Sequence, residues 1–168
     1  MAIIIDGYNL MNVTRFAVGR RDKRRFDEAR NEMLRFLSEH LSAVGETDVA
    51  VVFDSDVKKR LPSQQELFGL RVYFARDYPT ADDLIEELIA ECKQPSNLIV
   101  VSSDHRIQVF AQRKRAMPID SDVWFDCLLE AVHDANQSRV QPQQTDDVDN
   151  DEPLFENPFP DGYGEDLG

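Results

Sequence analysis

The chain is poor in the residues that build soft metal sites and disulfide frameworks. Its 168 residues include two cysteines, Cys92 and Cys127, and three histidines, and no Cys and His fall at the spacing of a zinc ligand set. Both cysteines lie in apolar helical patterns and read as reduced core residues of an intracellular protein. No apolar stretch approaches the ~20 residues of a membrane span. No basic segment precedes the first apolar run, as it would in a secretory leader. The expectation is a cytoplasmic protein with no membrane partner.

Positive charge is also scarce overall, with 19 basic against 32 acidic residues and a net charge of -13. From Ala135 onward, however, there are one basic and nine acidic residues, which leaves 18 against 23 for residues 1–134. The basic residues of that body are clumped. Arg15, Arg20, Arg21, Lys23, Arg24 and Arg25 crowd one loop, Lys58, Lys59 and Arg60 a second, and Arg113, Lys114 and Arg115 a third. A chain that is acidic in sum can therefore present locally positive surfaces to a polyanion, although each cluster taken alone equally suits a solvated loop.

At 42% hydrophobic residues, the chain suits one globular domain with an appendage. The run AIIID, Ala2 to Asp6, has no polar alternation and reads as a strand buried on both faces, with Asp6 at its carboxyl end, where open α/β sheets place ligands. Gly7 is expected to supply a sharp turn and Asn9 a second polar group. A helix is predicted from about Phe26 to Val44, then a strand from Val49 to Phe53 ending on Asp54. The polar segment from Lys58 to Gly69 is expected to hold a short helix starting at Pro62 and Ser63. Leu70 to Phe74 reads as a third strand. Ala81, Leu84, Ile85, Leu88, Ile89 and Cys92 line one face of a helix opened by Thr80.

A fourth strand, Leu98 to Val101, ends in Ser102, Ser103 and Asp104. Next come a helix carrying Ile107, Val109 and Phe110, a short fifth strand over Met117 to Ile119, and a helix capped by Ser121 with Val123, Trp124, Cys127, Leu128, Ala131 and Val132 facing the core. Alternating strands and helices imply an α/β fold, a parallel sheet of about five strands with helices on both faces. From Ala135 the composition turns to Gln, Asp, Asn, Pro and Gly, so residues 135–168 are expected to form a disordered acidic tail. Its LFENPF segment is a candidate docking site for a protein partner.

In a parallel sheet the strand carboxyl ends share one edge, so Asp6, Asp54 and Asp104 should meet there beside the helix that begins at Thr80. Pooled carboxylates repel one another, and a divalent cation relieves the repulsion. Oxygen-only donors select Mg²⁺ or Mn²⁺. Such a centre suits in-line displacement at phosphate. Together with three basic clusters, it points to RNA or DNA as substrate.

The ordered motifs resemble those of the YacP-like branch of NYN domains, which are PIN-like ribonucleases: DGYN after a buried strand, FDEAR at a helix start, VVFD on a strand, TAD opening a helix, and SSD with Gln108 shortly after. The resemblance covers about residues 1–134. It implies a PIN-like sheet, metal-dependent RNA endonuclease activity and messenger RNA decay, with the ribosome as a candidate partner. Matched by position, Asp6, Asp82 and Asp104 become the metal-binding acids, with Asn9 and Ser102 or Ser103 close by. Pro79 is a departure, since relatives often carry Glu there.

Asp54 equally suits a cap at its strand end, and His105 suits a solvated position at a helix start. Asp83, three residues after Thr80, resembles the acid of a capping box. Glu86 lies four residues from Asp82 on the same side of its helix. Trp124 and the helical Phe residues are assigned to the core. Two alternatives stand beside the nuclease: a phosphatase of the haloacid-dehalogenase type using Asp54 and Asp56 of VVFDSD, and a catalytically silent RNA-binding module.

Overall fold

The computed structural model describes residues 2–17, 23–54 and 62–140. The expected first strand, β1 (Ala2–Asp6), occupies the interior of a six-stranded sheet, with β2 (Val49–Asp54) and β5 (Leu98–Val101) paired parallel on either side. Its unbroken apolar sequence follows from that position, because both faces of the strand are covered. Beyond β2 lies β4 (Leu70–Ala75), also parallel. Beyond β5 lies β6 (Met117–Ile119), where Pro118 is tolerated on an edge strand. The chain thus builds outward on one side of β1 and then crosses to the other. The reversal falls beside β1, which makes its carboxyl end the topological switch point.

The sheet has one strand more than expected. Gln64–Leu67 forms β3, antiparallel to β4, in place of the predicted short helix. Leu67 pairs with Leu70, and the two-residue turn between them has both residues at positive φ, Phe68 at 54° and Gly69 at 78°, as a tight hairpin requires. QQEL carries no apolar alternation because it is a solvated edge, where polar side chains discourage pairing with another chain.

Period-two alternation divides the core. Ile3, Ile5, Val51 and Phe53 face α1 (Gly7–Val13), α2 (Lys23–Ala43) and α5 (Ser121–Val140), whereas Ile4, Val52, Leu98 and Val100 face α3 (Ala81–Glu91) and α4 (His105–Arg113). Asp6, in step with Ile4, belongs to the α3 and α4 side.

Several expectations are corrected. The segment after Asp6 is the short helix α1, not a loop: Asp6 caps it, accepting the Asn9 N–H at 3.0 Å. Its Gly, Tyr, Asn and Val are weak helix formers, which hid it. The helix α5 runs to Val140, past the boundary expected at 134; residues 141–168, with LFENPF, lie outside the described residues. On α5, Trp124 and Leu128 are buried, but Val123 is 51% exposed and Cys127 is also exposed. Phe125 instead turns inward, its ring centroid 5.6 Å from that of Phe36. A cation also enters the core. Arg30 is buried with its guanidinium 5.2 Å from the Phe74 centroid and 5.7 Å from that of Phe53, and its Nε has no hydrogen-bond partner among the described residues.

Gly7 has ordinary negative φ, so a sharp turn is not the reason for glycine. A Cβ at that position would lie 2.3–2.7 Å from three ring carbons of Phe53, a side chain with no exposed surface. Gly7→Ala is therefore expected to destabilise the protein by about 1–3 kcal/mol, as overpacked cores do. Urea denaturation measures it, and an unchanged midpoint would show that the ring moves aside at no cost.

Candidate active site

The amino ends of α1, α3, α4 and α5 gather at the carboxyl edge of the sheet, and hydrogen bonds tie them to one another. Asp6 accepts the Asn9 N–H with one oxygen and the Ser102 hydroxyl, at 3.1 Å, with the other. Ser102 Oγ in turn accepts the Asp104 N–H at 3.1 Å. Asp104 caps α4, accepting the N–H groups of Arg106 at 2.7 Å and Ile107 at 3.4 Å. The Asn9 side-chain oxygen accepts from the Ser103 N–H at 3.1 Å and the Ser121 hydroxyl at 2.9 Å. Ser103 Oγ accepts the Ser121 N–H at 3.0 Å. Gln108 closes the frame, donating to the Ser102 carbonyl and to Asp120, each at 2.9 Å.

On α3 the two neighbouring aspartates have different tasks. Thr80 is the N-cap and its Oγ1 accepts the Asp83 N–H at 3.3 Å, while its hydroxyl donates to Asp83 Oδ2 at 2.8 Å. Asp83 Oδ1 takes the Arg106 guanidinium at 2.7 Å, and the same guanidinium reaches Glu86 at 2.8 Å. Arg106 and Thr80 hold the Asp83 carboxyl below its ordinary value. Asp82 makes neither contact.

Asp6, Asp82 and Asp104 act on one another electrostatically. Burial pushes Asp6 up, the Asn9 and Ser102 hydrogen bonds oppose the shift, and repulsion from Asp82 and Asp104 adds to it. Asp82 is also raised, first by desolvation and then by Asp104, with Arg106 pulling the other way. Two raised carboxyls beside a third acid, with oxygen donors nearby, suit a hard divalent cation in kind. Their arrangement is open. Among the described residues, no three His, Cys, Asp or Glu side chains are drawn together as in a finished metal cage.

The other expected site residues divide. Asn9, Ser102 and Ser103 belong to the hydrogen-bonded frame, whereas Asp83 and Glu86 are held by Arg106. Asp54 ends β2, where its backbone carbonyl accepts the Tyr8 hydroxyl at 3.2 Å. His105 is exposed at the start of α4. Arg24 and Arg25 are exposed on α2, Arg24 pairing with Glu28 at 3.0 Å. Arg113, Lys114 and Arg115 are exposed at the far end of α4. Arg20, Arg21, Asp56, Lys58, Lys59 and Arg60 lie outside the described residues, and of Lys23 only the helical backbone is described. Sequence reasoning missed Arg106, which lies outside every basic run, and took Ser121 only for a helix cap.

Residues 3–157 match the family described as the YacP-like NYN domain. The chain belongs to the YacP-like NYN domain family, within the PIN-like nuclease superfamily. It is 30% identical over 113 residues to YacP of Bacillus subtilis strain 168, covering 66% of this chain and 65% of that protein, so the match spans just under two thirds of the relative's length. The crystal structure of Rae1 (YacP) from Bacillus subtilis is similar, with a TM-score of 0.63 and 26% identity over 83% of this chain and 79% of that one. A crystal structure of a mutant of the same protein gives a TM-score of 0.58 at 26% identity, covering 82% of this chain and 79% of that one. The six-stranded, mostly parallel sheet of this NYN domain agrees with these neighbours.

The sign of the Asp6 shift yields a stability prediction. A carboxyl that holds its proton more tightly when folded than unfolded makes stability fall as pH rises from the unfolded pKa through the folded one, and the deficit persists above it. Asn caps a helix as well as Asp does. In chelator at neutral pH, Asp6→Asn is therefore expected to melt above the parent, and added Mg²⁺ or Mn²⁺ should raise the parent's Tm but not the variant's. A variant that melts lower in chelator, or that responds equally to metal, contradicts this account of Asp6.

Proposed function

We propose that this NYN domain is a divalent-metal-dependent endoribonuclease that hydrolyses phosphodiester bonds in RNA. The observation that carries the reading is that the charges of Asp82 and Asp104 reach Asp6, and that of Asp104 reaches Asp82, at the carboxyl edge of the sheet, where Asp6 and Asp104 belong to a hydrogen-bonded frame that includes Asn9, Ser102, Ser103 and Ser121. Membership in a family of nucleases supports it. The three aspartates would hold Mg²⁺ or Mn²⁺, which when bound supplies charge stabilisation at the phosphate and an activated water. The chain's own residues position and exclude. Asn9 and Ser102 fix the Asp6 carboxylate, Arg106 draws Asp83 and Glu86 aside, and the amino ends of α3 and α4 favour an approaching phosphate at the same edge.

Arg24, Arg25, Arg113, Lys114 and Arg115 are exposed cations suited to the RNA backbone, and Arg20, Arg21, Lys23, Lys58, Lys59 and Arg60 extend the same sequence clusters. Action on messenger RNA in the cytoplasm, in association with the ribosome, belongs to the same proposal and rests on the resemblance to the YacP-like branch. Among the described residues, no helix is long and apolar enough to cross a membrane. The phosphatase reading has no comparable support, because the family that the chain matches is the YacP-like NYN domain.

Asp82 and Asp83 provide the test. Asp82→Asn should lower single-turnover cleavage of labelled RNA by roughly a hundredfold or more, because losing a metal ligand removes several kcal/mol of charge stabilisation, and should leave melting nearly unchanged. Asp83→Asn should lower the Tm, through its lost Thr80 and Arg106 contacts, and keep most of the cleavage. Full activity in chelator, or the reverse pattern in the two variants, overturns the assignment. Retarded RNA that is never cut would leave a silent binding module.

A further inference from the structure

Phe110 does not end in the sealed core that its helical position suggests. It is half-buried, and together with Val109 it forms the apolar floor of a groove of about 420 Å³ between α3 and α4, completed by Glu86, His105, Arg106 and Arg113. That volume falls in the ~300–1,000 Å³ range of clefts that hold small ligands.

The groove has direction. Its near end is His105, adjacent in sequence to Asp104, and its far end is Arg113, eight residues later on the same helix. At 1.5 Å per residue that is about 12 Å, the length of about three nucleotides at stacked spacing. Charge changes sign along it. Acids stand at the near end, and the Arg106 charge is offset there by Asp83 and Glu86. At the far end Arg113 lines the groove, and Lys114, just beyond the lining, holds its ammonium over the Phe110 ring, 5.6 Å from the centroid; no carboxylate among the described residues pairs with either cation. An aromatic surface between an acidic centre and free cations suits a flexible polyanion that carries flat bases. An apolar peptide would gain nothing from the cations, and a duplex cannot offer an unstacked base.

Taking the position of the scissile phosphate from the proposed nuclease function, we propose that this groove is a subsite for single-stranded RNA, in which an unpaired base stacks on Phe110 and its flanking phosphates meet Arg113 and Lys114. The ligand is then one strand running from the acids along α4.

Full-length protein carrying Asp82→Asn, which keeps RNA intact, is titrated with a short single-stranded RNA containing 2-aminopurine, with anisotropy and fluorescence quenching recorded together. Adding Phe110→Leu, which keeps the apolar contact with the core, should weaken binding roughly tenfold, as loss of one stacked base does, and remove the quenching. Phe110→Trp should restore both. Arg113→Ala should keep the quenching and make the salt dependence shallower by about one counterion. Equal affinity and quenching with Leu at position 110 overturn the subsite, as does a parent that binds no single strand. Should the Leu variant fail to fold, the Trp variant decides, because binding weaker than the parent's overturns it too. Cleavage of the same RNA by the wild-type chain is scored separately. Quenching without cleavage removes only the nuclease reading, and cleavage without quenching removes only the groove.

Discussion

Asp6 has to stay in place against the cost of its own burial. An ionised carboxylate at the end of an interior strand loses its water, and two further acids oppose its charge. Two hydrogen bonds offset part of that cost, one from the first turn of α1 and one from Ser102 at the end of β5. Because those donors come from different elements, keeping Asp6 fixed also fixes the angle at which α1 leaves the sheet and the register of β5 beside β1. The remaining bonds of the frame extend this outward to α4 and α5. The edge of the sheet is therefore organised by a local electrostatic cost and by the donors gathered to meet it.

A single guanidinium sorts the acids of α3. The helix carries five acids, Asp82, Asp83, Glu86, Glu87 and Glu91; Arg106 engages Asp83 and Glu86 and leaves Asp82 outside that pair. The exposure of these ion pairs makes them weak sources of stability. Their effect is selective: they decide which acid on the helix stays available to the centre. The capping role of Asp83 works in the same direction, since a carboxylate that closes a helix start is not drawn toward the sheet.

The sheet, its parallel sense and the places of Asp6 and Asp104 at strand ends were legible because long physical patterns encode them, uninterrupted apolar strands and a 3.6-residue stripe; the residue pattern alone offered Asp54 as the third acid, and Asp82 entered through the resemblance to the YacP-like NYN domains. What escaped was written in short or ambiguous stretches. β3 is a polar edge with a Phe-Gly turn, and α1 is seven residues of weak helix formers whose cap is also the candidate ligand. The faces of α4 and α5 were read too generously, because an apolar residue beside a core stripe looks like part of it. Phe110 and Val123 are such residues, and only packing against a neighbour distinguishes them. Arg106 gave no signal at all, since its partners are 20 and 23 residues away.

The contact of Phe53 with Gly7 joins two positions that are far apart in sequence and adjacent at the site. A ring occupying the space of a missing Cβ means that neither residue is free to change alone. Enlarging position 7 requires a smaller side chain at 53, and shrinking 53 opens a void under the first turn of α1 and loosens the stacking with Phe74 and the cation of Arg30. Across relatives the pair should therefore drift together or stay still. A lineage that exchanges the glycine must first pass through a change near the carboxyl end of the neighbouring strand, so the route by which this corner of the domain can diversify has an order built into it.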